Sequence, residues 1–313
     1  MFCWNKFSLR APPLLKHVVR DERTMLRSSP SSTASAGTPD MKPWPPSQQH
    51  VRVGNTTLRL ATWGHGPPLL LLNGIGGNIE MWEGLATRLT GRHLIMIDMP
   101  GTGGSPALLA PLRMSGYASL VIGVLDQLGV EQADVLGYSW GGALAQQLAR
   151  SAPGRVRSLV LAATMPGLGG QPPAPWVMAL IATPARYYSQ TYLKLIAPVV
   201  FGSDPVTADA ATGEARRRRP PSLAGYSQQV YAITGWSSMR WLGRLDVPVL
   251  VLSGARDPLA PPRNGRILAR AIPGAQLRIV DGGHLFLLER PEEGSEAIRA
   301  FLQHQDQDTE ALS

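Results

Sequence analysis

This 313-residue chain predicts an α/β fold: a mostly parallel eight-stranded sheet with an antiparallel edge and a helical cap. Short apolar runs recur near residues 69, 94, 134, 158, 249 and 276, and helical stretches separate most of the later ones. That alternation is how a parallel sheet buries both its faces. Ahead of them lies a hairpin pattern, Val51–Val53 and Thr57–Trp63 around Gly54-Asn55, which supplies the antiparallel edge. Between about Met165 and Leu245 the alternation stops. A hydrophobic share of 44% is ample for a core at this length.

In chain order, residues 1–47 read as a flexible extension, because Ser28–Gly37 is a low-complexity Ser/Pro/Ala tract. Lys6, Arg10, Lys16 and Arg20 interrupt any apolar core that a secretory signal would need. The basic, Ser-rich character faintly resembles a transit peptide; a disordered extension, or a start at Met41, is the preferred reading. Residues 48–164 form the first part of the core and 165–245 the cap. Residues 246–303 form the second part of the core, and 304–313 a C-terminal tail. The cap segment opens on Pro172-Pro173-Ala174-Pro175 and continues through Trp176, Met178, Tyr187, Tyr188 and Tyr192. Pro175, Pro184 and Arg186 break it well short of the roughly 20 apolar residues that span a bilayer.

Within the core, Asp134-Val135-Leu136 runs into Gly137-Tyr138-Ser139-Trp140-Gly141-Gly142, then into a helix from about Ala143 that Pro153 ends. A serine between glycines at a strand-to-helix turn is the pattern of a nucleophile elbow, in which residues without a Cβ let the two arms approach. Alone it is a modest signal, equally the mark of a Gly/Ser loop. Downstream, the strand Pro248–Gly254 leads to Asp257, and the strand Gln276–Val280 leads to His284 in Asp281-Gly282-Gly283-His284. Each has a structural alternative, Asp257 as a turn residue before proline and His284 as a loop histidine. Their order after the serine, each just past a strand, favours Ser139 as nucleophile, His284 as base and Asp257 as the group that orients the base. The strand Leu69–Leu72 precedes Asn73-Gly74-Ile75-Gly76-Gly77, which sets the backbone N–H of Ile75 opposite that of Trp140 as an oxyanion hole. Asp98, in another strand-to-loop junction, lacks the His, Cys or carboxylate company of a metal site and reads as a loop anchor.

The net charge of +8 has no recognition helix or stacking motif beside it, so no nucleic-acid partner is expected, and the run Arg216–Arg219 reads as a solvated face, with attraction to an anionic interface as the second reading. The single cysteine, Cys3, excludes an internal disulfide; a cytoplasmic location is the default expectation. The chemistry calls for no metal and no cofactor.

These residues also resemble a known family. Asn73–Asn78, Asp98–Ser105, Ser139–Gln147, Ser158–Thr164, Ile196-Ala197-Pro198, Gly235–Ser238 with Trp241-Leu242, and Gly282–Leu287 are similar to the intracellular poly(3-hydroxyalkanoate) depolymerases of the medium-chain-length type, which have the α/β-hydrolase fold. The resemblance spans roughly residues 51–302, with Gly77 standing where alanine is common and Tyr138 where valine is common. It implies the same three residues, Ser139, Asp257 and His284. It also implies hydrolysis of a polyester through an acyl-enzyme and attachment to a polyester granule. Trp176, Trp236 and Trp241 are the candidate substrate contacts. A carboxylesterase acting on small lipophilic esters is the alternative, and a catalytically silent binding protein is the alternative of another class. The oligomeric state stays open.

Overall fold

The computed structural model describes Trp44 and residues 46–312. The expectations for Cys3 and for residues 1–43 lie outside the described residues.

Eight strands form one sheet: β1 (Ser47–Val53), β2 (Thr56–Trp63), β3 (Pro68–Leu72), β4 (His93–Ile97), β5 (Ala133–Tyr138), β6 (Val156–Ala162), β7 (Val249–Gly254) and β8 (Gln276–Val280). Their order across the sheet is β1-β2-β4-β3-β5-β6-β7-β8. β1 pairs antiparallel with β2 and β2 antiparallel with β4, while every later pairing is parallel. Among the described residues eleven α-helices connect or cover the strands. The first three are α1 (Glu83–Ala86), α2 (Met114–Gln127) and α3 (Trp140–Ser151). Five more fill the stretch between β6 and β7: α4 (Pro175–Ile181), α5 (Ala185–Tyr188), α6 (Gln190–Val200), α7 (Pro205–Arg218) and α8 (Leu223–Ile233). The last three are α9 (Pro262–Ala271), α10 (Phe286–Glu289) and α11 (Pro291–Leu312).

The strand residues sort by the two-residue period of a pleated sheet. Leu69, Leu71, Leu94, Met96, Leu250 and Leu252 face one core cluster, which Ile298, Phe301 and Leu302 of α11 complete. Leu70, Leu72, Ile95, Ile97, Val249 and Val251 face the other, closed by α2, α3 and α9 through residues such as Tyr117, Leu144 and Leu268. Burial on both faces explains why these strands read as continuous apolar runs rather than alternating ones. Cap residues Val177, Leu193, Ile196, Val200 and Phe201 join the first cluster. No helix among the described residues is long and apolar enough to cross a membrane.

Two boundaries differ from the sequence expectation. β1 starts at Ser47 and not within the hairpin at Val51, because the ladder to β2 extends to the pair Ser47↔Thr62. That edge is exposed and polar, so hydropathy does not signal it. Residues 304–312 are not a separate tail but the end of α11, whose buried face runs on to Gln305. Asp306 there meets Arg92 and Arg157.

Candidate active site

Ser139 sits between the last residue of β5 and the first of α3 with φ +55° and ψ −118°. For a side chain that bears a Cβ this is strained backbone. Close packing enforces it: a Cβ on Gly137 would lie 2.4 Å from the carbonyl oxygen of Gly141, and one on Gly141 would lie 2.0 Å from that of Leu72. The Thr164 hydroxyl donates to the Ser139 carbonyl at 2.7 Å, and the Ser139 N–H to that of Ala162 at 2.8 Å.

Asp257 and His284, 27 residues apart in sequence, meet because β7 and β8 are parallel neighbours with their loops at the same sheet end. His284 Nε2 lies 3.0 Å from Ser139 Oγ, and Nδ1 lies 2.8 Å from Asp257 Oδ2. Asp257 is buried, and its other oxygen accepts from the backbone N–H groups of Leu259 and Ala260, each at 2.8 Å. The imidazole is also fixed by its neighbours. The His284 backbone N–H donates to Phe201 O at 2.6 Å, the Phe201 ring stacks on the imidazole 6.1 Å away, and the Tyr138 hydroxyl donates to the backbone carbonyl of His284 at 2.9 Å. Burial, with the nearby Asp257 charge adding to it, holds the Tyr138 phenol well above its ordinary range, so it stays a donor.

Ile75 lies in the loop after β3, beside the same cavity as Ser139, and Trp140 follows Ser139 directly. Neither residue's backbone N–H donates to another backbone acceptor among the described residues; Trp140, as the first helical residue, has no acceptor within its helix. The Trp140 ring turns away from the cavity, packs edge-on against Tyr117 at 5.1 Å and donates Nε1–H to Gln229 O at 3.0 Å.

Sequence patterns do not reveal what holds the loop. The Gly76 N–H donates to Gln229 Oε1 at 2.8 Å. The Tyr187 hydroxyl donates to Ile75 O, and Asn78 Nδ2 donates to Ala215 O and Arg219 O at the end of α7. Gly76 has φ +72°, and a Cβ there would meet the Tyr187 ring at 2.9 Å. Gln229, a cap residue, therefore braces both halves of the proposed oxyanion hole, the loop through its side chain and Trp140 through its carbonyl. Replacing Gln229 with alanine is expected to lower kcat for p-nitrophenyl octanoate by about tenfold with little change in KM, a fraction of what one oxyanion donor contributes. A kcat within twofold of the parent would show that the loop holds itself.

The cavity beside Ser139 is small, ≈ 30 Å³. Its walls include Ile75, Met81, Tyr187, Phe201, Leu259 and Leu285 together with the guanidinium-bearing Arg186 and Arg216. None of the three candidate tryptophans is among its walls. Trp236 donates Nε1–H to Gln147 Oε1 at 2.9 Å, and Trp241 packs edge-on to it at 6.2 Å. With Ser238 bonded to Gln146 Oε1 at 2.7 Å, this signature fastens the cap to α3. Trp176 is half exposed on α4. Arg216 is not part of a solvated face: it is 3% exposed, and only Arg217, Arg218 and Arg219 reach acidic partners. Helical geometry turns one residue of four consecutive arginines inward. Burial lowers the Arg216 guanidinium below its ordinary value; the Tyr187 ring opposes this and the like charge of Arg186 adds to it.

Asp98 is fully buried, accepting from the N–H groups of Ile79 and Gly104 at 2.8 and 2.7 Å and from Arg59 Nη1 at 2.7 Å. Burial pushes its carboxyl up to about 6, against the pull of Arg59, so it is ionised at neutral pH. Its position fits the loop-anchor reading. The described residues contain no group of three or more His, Cys, Asp or Glu arranged to hold a metal ion.

The α/β-hydrolase-fold family profile matches residues 67–291. The chain belongs to the α/β-hydrolase family. It is 41% identical over 268 residues to a poly(3-hydroxyalkanoate) depolymerase of Ectopseudomonas oleovorans, a match covering 82% of this chain and 93% of the relative. It is thus a member of the depolymerase group that the sequence motifs resemble, and it is a hydrolase. A 3-oxoadipate enol-lactonase of Acinetobacter baylyi is 26% identical, over 79% of this chain and 94% of its own length. Among solved structures, an enol-lactonase from Burkholderia xenovorans superposes with a TM-score of 0.71 at 24% identity, covering 82% of this α/β-hydrolase and all of the neighbour. An esterase from Exiguobacterium antarcticum gives 0.70 at 23%, covering 79% and 96%. At those identities the two structures bear on the fold alone.

Proposed function

We propose that this α/β-hydrolase cleaves the ester bonds of a poly(3-hydroxyalkanoate) through an acyl-enzyme on Ser139. One observation carries the reading: the relay from Asp257 through His284 to Ser139, at 2.8 and 3.0 Å, in a chain 41% identical to a depolymerase. Ser139 Oγ attacks the ester carbonyl as His284 Nε2 takes its proton, and Asp257 stabilises the imidazolium while staying ionised. The N–H groups of Ile75 and Trp140 receive the developing oxyanion. Collapse breaks the C–O bond, and His284 returns the proton to the leaving alcohol oxygen. Water, deprotonated by His284, then releases the acyl group and restores Ser139.

The cap supports a polymeric, lipophilic substrate. Among the described residues, ten of the twelve exposed large hydrophobic side chains fall within residues 165–245, including Trp176, Met178, Leu195, Val199 and Leu223. Exposed apolar side chains concentrated in the cap suit attachment to a polyester granule, and Trp176 is then a contact on the outside of the cap rather than in the pocket. The small cavity is the observation that favours the other reading, an esterase of small lipophilic esters.

Incubating the purified protein with granules of medium-chain and of short-chain polyester and measuring 3-hydroxy acid release separates the two. Release from medium-chain granules is the expected result. Rapid turnover of p-nitrophenyl octanoate with no release from either polymer would overturn the depolymerase reading and leave the esterase.

A further inference from the structure

Two buried guanidinium groups line the cavity beside Ser139, and neither makes a salt bridge among the described residues. Arg186 and Arg216 are 4% and 3% exposed. Arg186 Nη1 donates only to neutral oxygens, of Ile181, Thr183 and the Tyr226 hydroxyl. Its Nε, like the Nε and Nη1 of Arg216, has no hydrogen-bond partner. Among the described residues no carboxylate oxygen lies within 4.0 Å of either group. Glu289 is close enough to feel the Arg216 charge without a salt-bridge contact; burial raises its carboxyl, against the Ser203 hydrogen bond and the charges of Arg290 and Arg216. The two cations flank one ring, with Arg186 4.8 Å and Arg216 5.2 Å from the centre of Tyr187. Tyr187 in turn donates to the carbonyl of Ile75 in the oxyanion loop.

Burying a cation without a counterion costs several kcal/mol, and aromatic faces return only part of that. Here the fold holds two, side by side, at the reacting serine, while their sequence neighbours Arg217, Arg218 and Arg219 all have acidic partners. Unused N–H donors of a planar fork suit an oxyanion such as a carboxylate or phosphate, and the carboxylate is the one that a hydroxyalkanoate chain carries.

Resting on the proposed esterase function, we propose that Arg186 and Arg216 bind the free carboxylate at the end of a hydroxyalkanoate chain. In such a chain the terminal carboxylate stands four bonds from the carbonyl of the last ester, so a carboxylate held by the arginines keeps that ester within one repeat of its anchor, on the side of the cavity that Ser139 also lines. The carboxylate is held and not transformed. Ser139 attacks the last ester carbonyl, the C–O bond breaks, and His284 delivers its proton to the departing oxygen. The first product is one 3-hydroxy acid anion, still paired with the arginines. The shortened chain, released from Ser139 by water, carries a new terminal carboxylate that is the next anchor. Cleavage then proceeds from the carboxyl end, one unit at a time.

The test compares the linear dimer of 3-hydroxyoctanoate bearing a free carboxylate with its methyl ester. Wild-type protein is expected to show kcat/KM at least about tenfold higher on the acid, the range of one or two charge-assisted hydrogen bonds. In Arg216→Met and Arg186→Met the ratio of the two kcat/KM values should fall towards one, with Arg216→Lys in between. Calorimetric titration of the wild-type chain with 3-hydroxyoctanoate and with methyl 3-hydroxyoctanoate gives the same comparison without turnover, and needs no variant to fold. There the anion is expected to bind at least tenfold tighter. Equal handling of acid and ester by the wild type, in turnover and in binding, overturns the anchor while leaving the esterase reading intact. No turnover of either dimer or of p-nitrophenyl octanoate would instead overturn the esterase reading, and the titration would then decide the anchor separately.

Discussion

Replacing Ser139, the proposed nucleophile, with alanine is expected to lower kcat for p-nitrophenyl octanoate by at least about 10⁴-fold, because removing the nucleophile of such a relay eliminates its joint action. What remains should come from the oxyanion hole and binding alone. The substitution is conservative in structure. Alanine carries the same Cβ as serine, so the backbone cost at φ +55° is not changed by the loss of Oγ. The neighbouring bonds from Thr164 and to Ala162 involve main-chain atoms of residue 139 and persist. Only the 3.0 Å contact to His284 Nε2 disappears. Circular dichroism and unfolding midpoints should match the parent. A variant with more than a tenth of parental kcat would place the nucleophile elsewhere.

Replacing Asp98 with alanine should be the most damaging change to stability, costing about 3–5 kcal/mol, the range for stranding one member of a buried ion pair. Two backbone donors, the buried Ile79 N–H and the half-buried Gly104 N–H, lose their acceptor, and Arg59, 1% exposed, keeps only Glu80 as a carboxylate partner. Each loss carries a desolvation penalty of its own. Because Ile79 opens the turn that follows the oxyanion loop, activity should fall together with stability. Asp98→Asn, which retains one acceptor oxygen, should lie between the two proteins. Urea unfolding measures this; a loss below about 1 kcal/mol would mean that water enters and satisfies the stranded groups.

The site was legible in proportion to how local its signal is. Gly137 and Gly141 announce the elbow because no side chain fits where their Cβ atoms would be, and a steric exclusion of that kind marks the sequence at the spot. Asp257 and His284 could be picked out because each stands just past an apolar strand, and parallel neighbours deliver their loops to the same sheet end. Gln229, Tyr187 and Asn78 send no such signal. Their partners are backbone atoms more than a hundred residues away, and a glutamine in a helix looks the same whether it braces a loop or faces solvent. The tryptophans misled for a related reason. A large ring in a cap needs apolar contact, but composition does not say whether the contact is substrate, the α3 surface or a granule. Arg216 is the sharpest instance. Four consecutive arginines look uniform as a charge run, yet a helix places successive residues about 100° apart, and one of the four points into the cavity.

The sequence by itself determined the sheet, through runs of leucine, isoleucine and valine whose burial on both faces leaves no other arrangement. It also determined the order of Ser139, Asp257 and His284 at the strand ends. Tertiary structure alone decided how the cap bears on them. The cap's contacts with the core are made by single side chains across long sequence separations, and neither periodicity nor composition encodes which cap residue reaches the loop at Ile75 and which guanidinium is left unpaired beside Ser139.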